Sequence, residues 1–198
     1  MVLMLVGLVL FLGAHSLKIV PSAGAPLRQA LGETAYKISY SIVSLIGLIL
    51  LARGYSAWWA EGPPILYVPP AGMSHLALLL MLLAFIVLPA AYLPGHIRKT
   101  LKHPMLVAVK TWAVAHLLVN GDLPSVILFG AFLAWAVLDR ISLKKRERAG
   151  LYTPPVFTPR WQADVTAVVI GLVVYGLFVW KLHLWLIGVS PLAMASAV

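Results

Sequence analysis

Histidine is the residue type best placed to do chemistry in this chain, which has six of them, no cysteine and only six acids. Three crowd into residues 95–122, GHIRKTLKHPMLVAVKTWAVAHLLVNGD, as His96, His103 and His116. His96 and His103 flank the basic group Arg98, Lys99 and Lys102, whereas His116 stands alone in the apolar run 105–119. An ionisable side chain inside such a run is costly unless a partner or a ligand holds it. Val109, Trp112, Ala113, His116 and Asn120 share one helical stripe. Trp112 and Asn120 are then one turn from His116 on either side. His103, thirteen residues earlier, lies about 220° round the same helix and cannot share a site with His116 through that helix alone.

His15 is the second buried candidate, preceded by Gly13-Ala14 and followed by Ser16, small residues that permit close helix approach. Two imidazoles on facing helices can clasp one haem iron if they sit at similar depth, each presenting Nε2 while Nδ1 is held by an acceptor. His116 lies about 18 Å from Pro104 and His15 about 21 Å from Met1 by helical rise. A start of the chain at the outer surface brings them within about 10 Å in depth. The plainer reading of His116 is a hydrogen bond between helices. His75, which opens a span from outside, and His103, nearer the level of His15, are second choices as metal ligands. Lys110, about 9 Å inside from Pro104, either snorkels to the headgroups or offers a cation to a haem propionate. His75, His96 and His103 otherwise read as interfacial, and His183 with Lys181 as snorkelling near the end of the last span.

The elements that must position these groups belong to a membrane. The 198 residues are 62% hydrophobic and 11% charged, with a mean hydropathy of +0.96, far from a soluble composition. Without cysteine, thiolate-ligated zinc, iron-sulfur clusters and disulfides are excluded. The expected fold is all-α, a single polytopic membrane domain over 1–198 with about six transmembrane helices. The first apolar run, from residue 1 toward Pro21, is expected to be a retained helix, because it lacks the basic start of a cleaved signal peptide despite Ala23-Gly24-Ala25. A Pro/Gly-containing loop is predicted over 21–33 and a helix over 36–51. Residues 55–72, with Trp58, Trp59 and Tyr67, read as an interfacial aromatic loop. Further spans are predicted over 73–88, 104–119 and 123–138. A basic connection over 141–164 leads into the last transmembrane helix within 165–190. Each span approaches the ~20 residues that a ~30 Å hydrocarbon core requires.

Charge tests this segmentation. Lys18, Arg28 and Lys37 accompany the first connection, Arg98, Lys99 and Lys102 the third, and Arg140, Lys144, Lys145, Arg146, Arg148 and Arg160 the fifth. Twelve of the fifteen basic residues thus fall on one side. Both termini outside the membrane, with odd connections cytoplasmic, satisfies the positive-inside rule. The net charge of +9 therefore reads as topology, not nucleic-acid binding. No acid lies in a span core, Asp122 and Asp164 read as helix-end residues, and serine-nucleophile, phosphate-loop and dinucleotide motifs are absent.

Three ordered blocks, FLGAHSLK at 11–18, LGETAYKISYSIVSLIGLILLARGY at 31–55 and the 95–122 stretch, resemble the NnrU family over about the first 140 residues. That family comprises bacterial membrane proteins associated with denitrification and nitric oxide metabolism and is related to 15-cis-zeta-carotene isomerase. The resemblance implies haem b held between the first and fourth spans, with His15 in AHS and His116 in AHLL as axial ligands. It also implies nitrite or nitric oxide reductase components as partners. A haem-dependent isomerase of a carotenoid-like polyene is the alternative, although residues 129–136 carry none of that enzyme's further histidines. Other readings are a non-catalytic assembly factor and, because a His-Pro after a basic run is similar to integral membrane methyltransferases, a methyltransferase.

Overall fold

The computed structural model describes residues 1–17 and 19–196; Lys18 lies outside them. Apart from one antiparallel bridge between Ile65 and Asp122, the regular structure of the described residues is helical. The helices are α1 Val2–Ser16, α2 Pro21–Ala60, α3 Met73–Ala90, α4 His96–Leu101, α5 Pro104–Leu117, α6 Leu123–Arg148 and α7 Trp161–Leu177. A π-helical turn, Phe178–Leu182, carries α7 on into α8 His183–Ile187, and α9 Pro191–Ser196 follows. The packing order is a row: α7 lies on α3, α3 on α5, α5 on α6, and α6 touches the α1/α2 pair more lightly.

Four segments are long and apolar enough to cross a membrane: Gly24–Ala60, Met73–Ala90, Leu123–Arg148 and Trp161–Ile187. The first and fourth expected spans are shorter than anticipated. At 15 and 14 residues, α1 and α5 rise only about 22 and 21 Å, against a core of about 30 Å. Large apolar side chains such as Val9, Ile42, Leu45, Val169 and Val173 are exposed along the outer faces, a surface suited to lipid rather than water. The architecture fits a multi-pass membrane protein.

Several boundaries depart from expectation for local reasons. Residues 21–33 are helical, not looped, because Pro21 occupies the first helical position, where no N–H is needed. Only Gly32, at φ 74°, interrupts α2. Beyond Leu51 the helix continues to Ala60, so Leu51, Tyr55 and Trp58 stay on one face at i, i+4, i+7. Trp58 is consequently core, 6% exposed, rather than interfacial. It packs with Met4, Leu8, Leu51, Ala113, Leu128 and Phe129. Gly13 has open space around it and is not the close-approach residue; Gly7 is, because a Cβ there would collide with the Leu51 and Gly47 backbone of α2.

Candidate functional site: two histidine environments

Both His15 and His116 sit near helix ends with the same backbone anchor. His15 Nδ1 lies 2.7 Å from the Phe11 carbonyl and His116 Nδ1 lies 2.9 Å from the Trp112 carbonyl, four residues back in each case. A carbonyl only accepts, so Nδ1 carries the hydrogen and the neutral ring keeps its lone pair at Nε2, the arrangement that readies imidazole for a metal. His183 repeats it, with Nδ1 donating to the Val189 carbonyl at 2.7 Å.

The surroundings differ. His116 is closely packed: its ring stacks on Phe129 at 4.5 Å, meets Trp112 at 5.2 Å and faces His183 at 6.5 Å with the planes 22° apart. The π-helical turn immediately before His183 sets the register in which that ring faces α5. Asn120 Nδ2 donates to the His116 carbonyl at 2.8 Å. The Tyr67 hydroxyl donates to the carbonyls of Leu117 and Asn120. This end is closed by a buried cap: Asp122 accepts from the Ser125 N–H at 2.9 Å and the Ser125 hydroxyl at 2.8 Å, and Ser125 Oγ is 2.8 Å from Tyr55 Oη. Asp122 is thus the helix-end residue expected of it, as is Asp164, which accepts from the His96 and Ile97 N–H groups at the start of α4.

His15 instead lines a cavity of about 900 Å³, and His103 lines the same cavity. Phe11 stacks on His15 at 4.3 Å, and Tyr40 and Trp135 approach it at 5.3 and 6.0 Å. His103 caps α5 just before Pro104. Its Nε2 is buried without a hydrogen-bond partner, and its ring lies 6.1 Å from Tyr152. Burial, and then the nearby Arg140 charge, hold the His103 pKa below its ordinary value. Arg98, Lys99 and Lys102 border the cavity, and Arg98 lies 5.1 Å over the Phe157 ring. Such a cavity, within the ~300–1,000 Å³ range of cofactor sites, suits a flat apolar ligand with an anionic end.

The expected residues therefore divide. Between His15 and His116 runs a continuous series of rings, with Phe11 to Phe132 at 5.6 Å and Phe132 to Trp112 at 5.3 Å, and His116 is not among the cavity residues. Trp112 and Asn120 go with His116. Lys110 is part-buried on α5, and its neighbour Val109, not Lys110 itself, lines the cavity. His75 is exposed in the first turn of α3. Sequence reasoning placed His103 at the cytoplasmic interface; its shared cavity with His15 depends on the 152–157 segment folding over it, which no helix periodicity reveals. The His183 neighbour of His116 was likewise not anticipated. Among the described residues no group of three or more His, Cys, Asp or Glu is arranged to hold a metal ion.

No curated protein and no solved structure matches the chain. A family model described as NnrU protein matches residues 3–191, almost the whole length. The chain is therefore a member of the NnrU family.

Proposed function

We propose that this chain is a haem b-binding protein of a bacterial inner membrane, serving nitrogen-oxide or respiratory redox metabolism. In this reading six helices cross, α1 and α5 with tilt or local thinning of the bilayer, and both termini face outward. The observation that carries the haem is the cavity of about 900 Å³ lined jointly by His15 of the first apolar helix and His103 at the head of the fourth. His15 is oriented for ligation by the Phe11 carbonyl, and His103 brings a buried Nε2 without a partner. Arg98, Lys99 and Lys102 would meet the propionates, leaving Lys110 unneeded for that role. Phe11, Phe132 and Trp135 would shield the ring from water. A haem so held supplies one-electron redox chemistry, or small-ligand binding if one histidine lets go. The favoured ligand pair is thus His15 with His103, and the pair implied by the family resemblance, His15 with His116, is the competitor.

Absorbance spectra of detergent-purified protein from a haem-replete host test both points. A Soret band is expected, displaced or lost in His15→Ala and His103→Ala and unmoved in His116→Ala. A wild-type protein without a Soret band would sink the haem reading. A band moved by His116→Ala but not by His103→Ala would restore the competing pair. The aromatic walls of the cavity also favour a second reading, isomerisation of a polyene taken from the bilayer. Conversion of a cis-carotenoid in a pigment-producing host would select it.

A further inference from the structure

A second concavity lies on the other side of Trp135. Between α1 and α6, which touch only lightly, runs a groove of about 700 Å³. Its walls are apolar, with Leu12, Ala134 and Leu138 among them, and its rim carries Lys145 and Arg146. The hydroxyls near that rim are already committed: Ser16 donates to the Leu12 carbonyl at 2.6 Å and Ser142 to the Ile19 carbonyl at 2.8 Å. The cations are held more loosely. Lys145 is exposed, and Arg146 reaches Asp139 only at 3.9 Å while its Nε is buried without a hydrogen-bond partner. Trp135 Nε1, in the wall, is likewise a buried donor without an acceptor.

We propose that this groove binds an anionic phospholipid, its acyl chain along the α1/α6 wall and its phosphate at Lys145 and Arg146. An apolar trough two to three helical turns long, ending in two basic side chains at the level of the basic connection, complements that molecule in shape and in charge. The site is independent of the haem reading, since Lys145 and Arg146 do not line the histidine cavity.

Native mass spectrometry of the full chain, purified in detergent and equilibrated with equal phosphatidylglycerol and phosphatidylcholine, tests this. Wild type is expected to retain phosphatidylglycerol preferentially. Each basic residue near an anionic lipid contributes about fivefold in affinity, so K145Q/R146Q is expected to weaken retention by about 25-fold. R28Q/K37Q, which removes two exposed charges beside the first connection, is expected to leave it intact. Ala134→Trp fills the groove at an exposed wall position and is expected to abolish retention with both charges present. Inorganic phosphate added in excess is expected not to displace the lipid. Equal retention of the two lipids, retention unaffected by K145Q/R146Q or by Ala134→Trp, or displacement by phosphate would each overturn the proposal.

Discussion

His15 and His116 share a helix-end position and an anchored Nδ1, yet one opens on a cavity with His103 and the other is enclosed by Phe129, Trp112 and His183. Identical local geometry therefore does not make equivalent sites. What separates them is whether neighbouring helices close around the ring or leave a cavity beside it. On the α5/α6 side they close, and His116 acts as part of a packed aromatic cluster. On the α1/α5 side they do not, and a roomy space bordered by three cations is left.

The largest expected effect tests the packed side. Phe129 is 6% exposed and touches both His116 and Trp112, so Phe129→Ala is expected to destabilise by about 3 kcal/mol, read as a fall in the detergent melting temperature. Phe157→Ala, at the cavity border beside Arg98, is expected to cost less than about 1 kcal/mol, in line with a single cation–π contact. Equal losses at the two positions would erase the distinction between filled and open regions.

Next in size is the cap that closes the packed end. Asp122 is 7% exposed and satisfies the buried Ser125 twice. Asp122→Ala removes an N-cap and strands buried donors, for an expected loss of about 2 kcal/mol. Asp122→Asn keeps one acceptor and is expected to lose about half as much. An unchanged melting temperature in Asp122→Ala would show that this end is not held by its cap.

A smaller effect of opposite sign is expected at the cavity. In the haem-free protein His103→Leu removes a buried nitrogen without a partner, so stability is expected to hold or rise by up to about 1 kcal/mol, while the spectral change described above takes away haem. His116→Leu is expected to lose stability, because its ring is stacked and its N–H is bonded. If both variants lost stability alike, the two histidines would have the same structural role.

The local elements behind this contrast could be read from sequence, but the contrast itself could not, and what was missed shows what helix periodicity leaves out. The Pro104 helix start, the Asp122 cap and the shared stripe of Trp112, His116 and Asn120 follow from local chemistry. The end of α6 did not: the span was expected to end at residue 138, before the charged Asp139-Arg140, but Lys, Arg and Glu are good helix formers, and the helix runs on to Arg148, just before Gly150 at φ 70°. That extension carries Lys145 and Arg146 along the groove. The partner of His116 was hidden because the π-helical turn at 178–182 departs from the 3.6-residue period on which a helical wheel depends. His103 lay about 220° from His116 on that wheel, which ruled out a joint site with His116 but could not show a joint cavity with His15.

The smallest expected effect is on pH dependence, and the comparison of wild type with His103→Leu isolates the part that belongs to His103. Its folded pKa is depressed by burial and then by Arg140, with Lys102 adding to the repulsion and Glu147 and Asp139 opposing it. The unfolded chain therefore binds a proton more readily than the folded one. Stability is fully present above the unfolded histidine pKa of about 6.5, and it declines as the pH falls from there toward the lower folded value. The haem-free wild type is expected to melt slightly lower at pH 5.5 than at pH 7.5, and His103→Leu to lose that part of the difference. Arg140→Gln removes a repelling charge and is expected to shrink the same difference without abolishing it. If the pH 5.5 to 7.5 difference were identical in wild type and His103→Leu, the buried nitrogen would have no energetic bearing on the fold, and the cavity could no longer be distinguished from the packed side by its unsatisfied histidine.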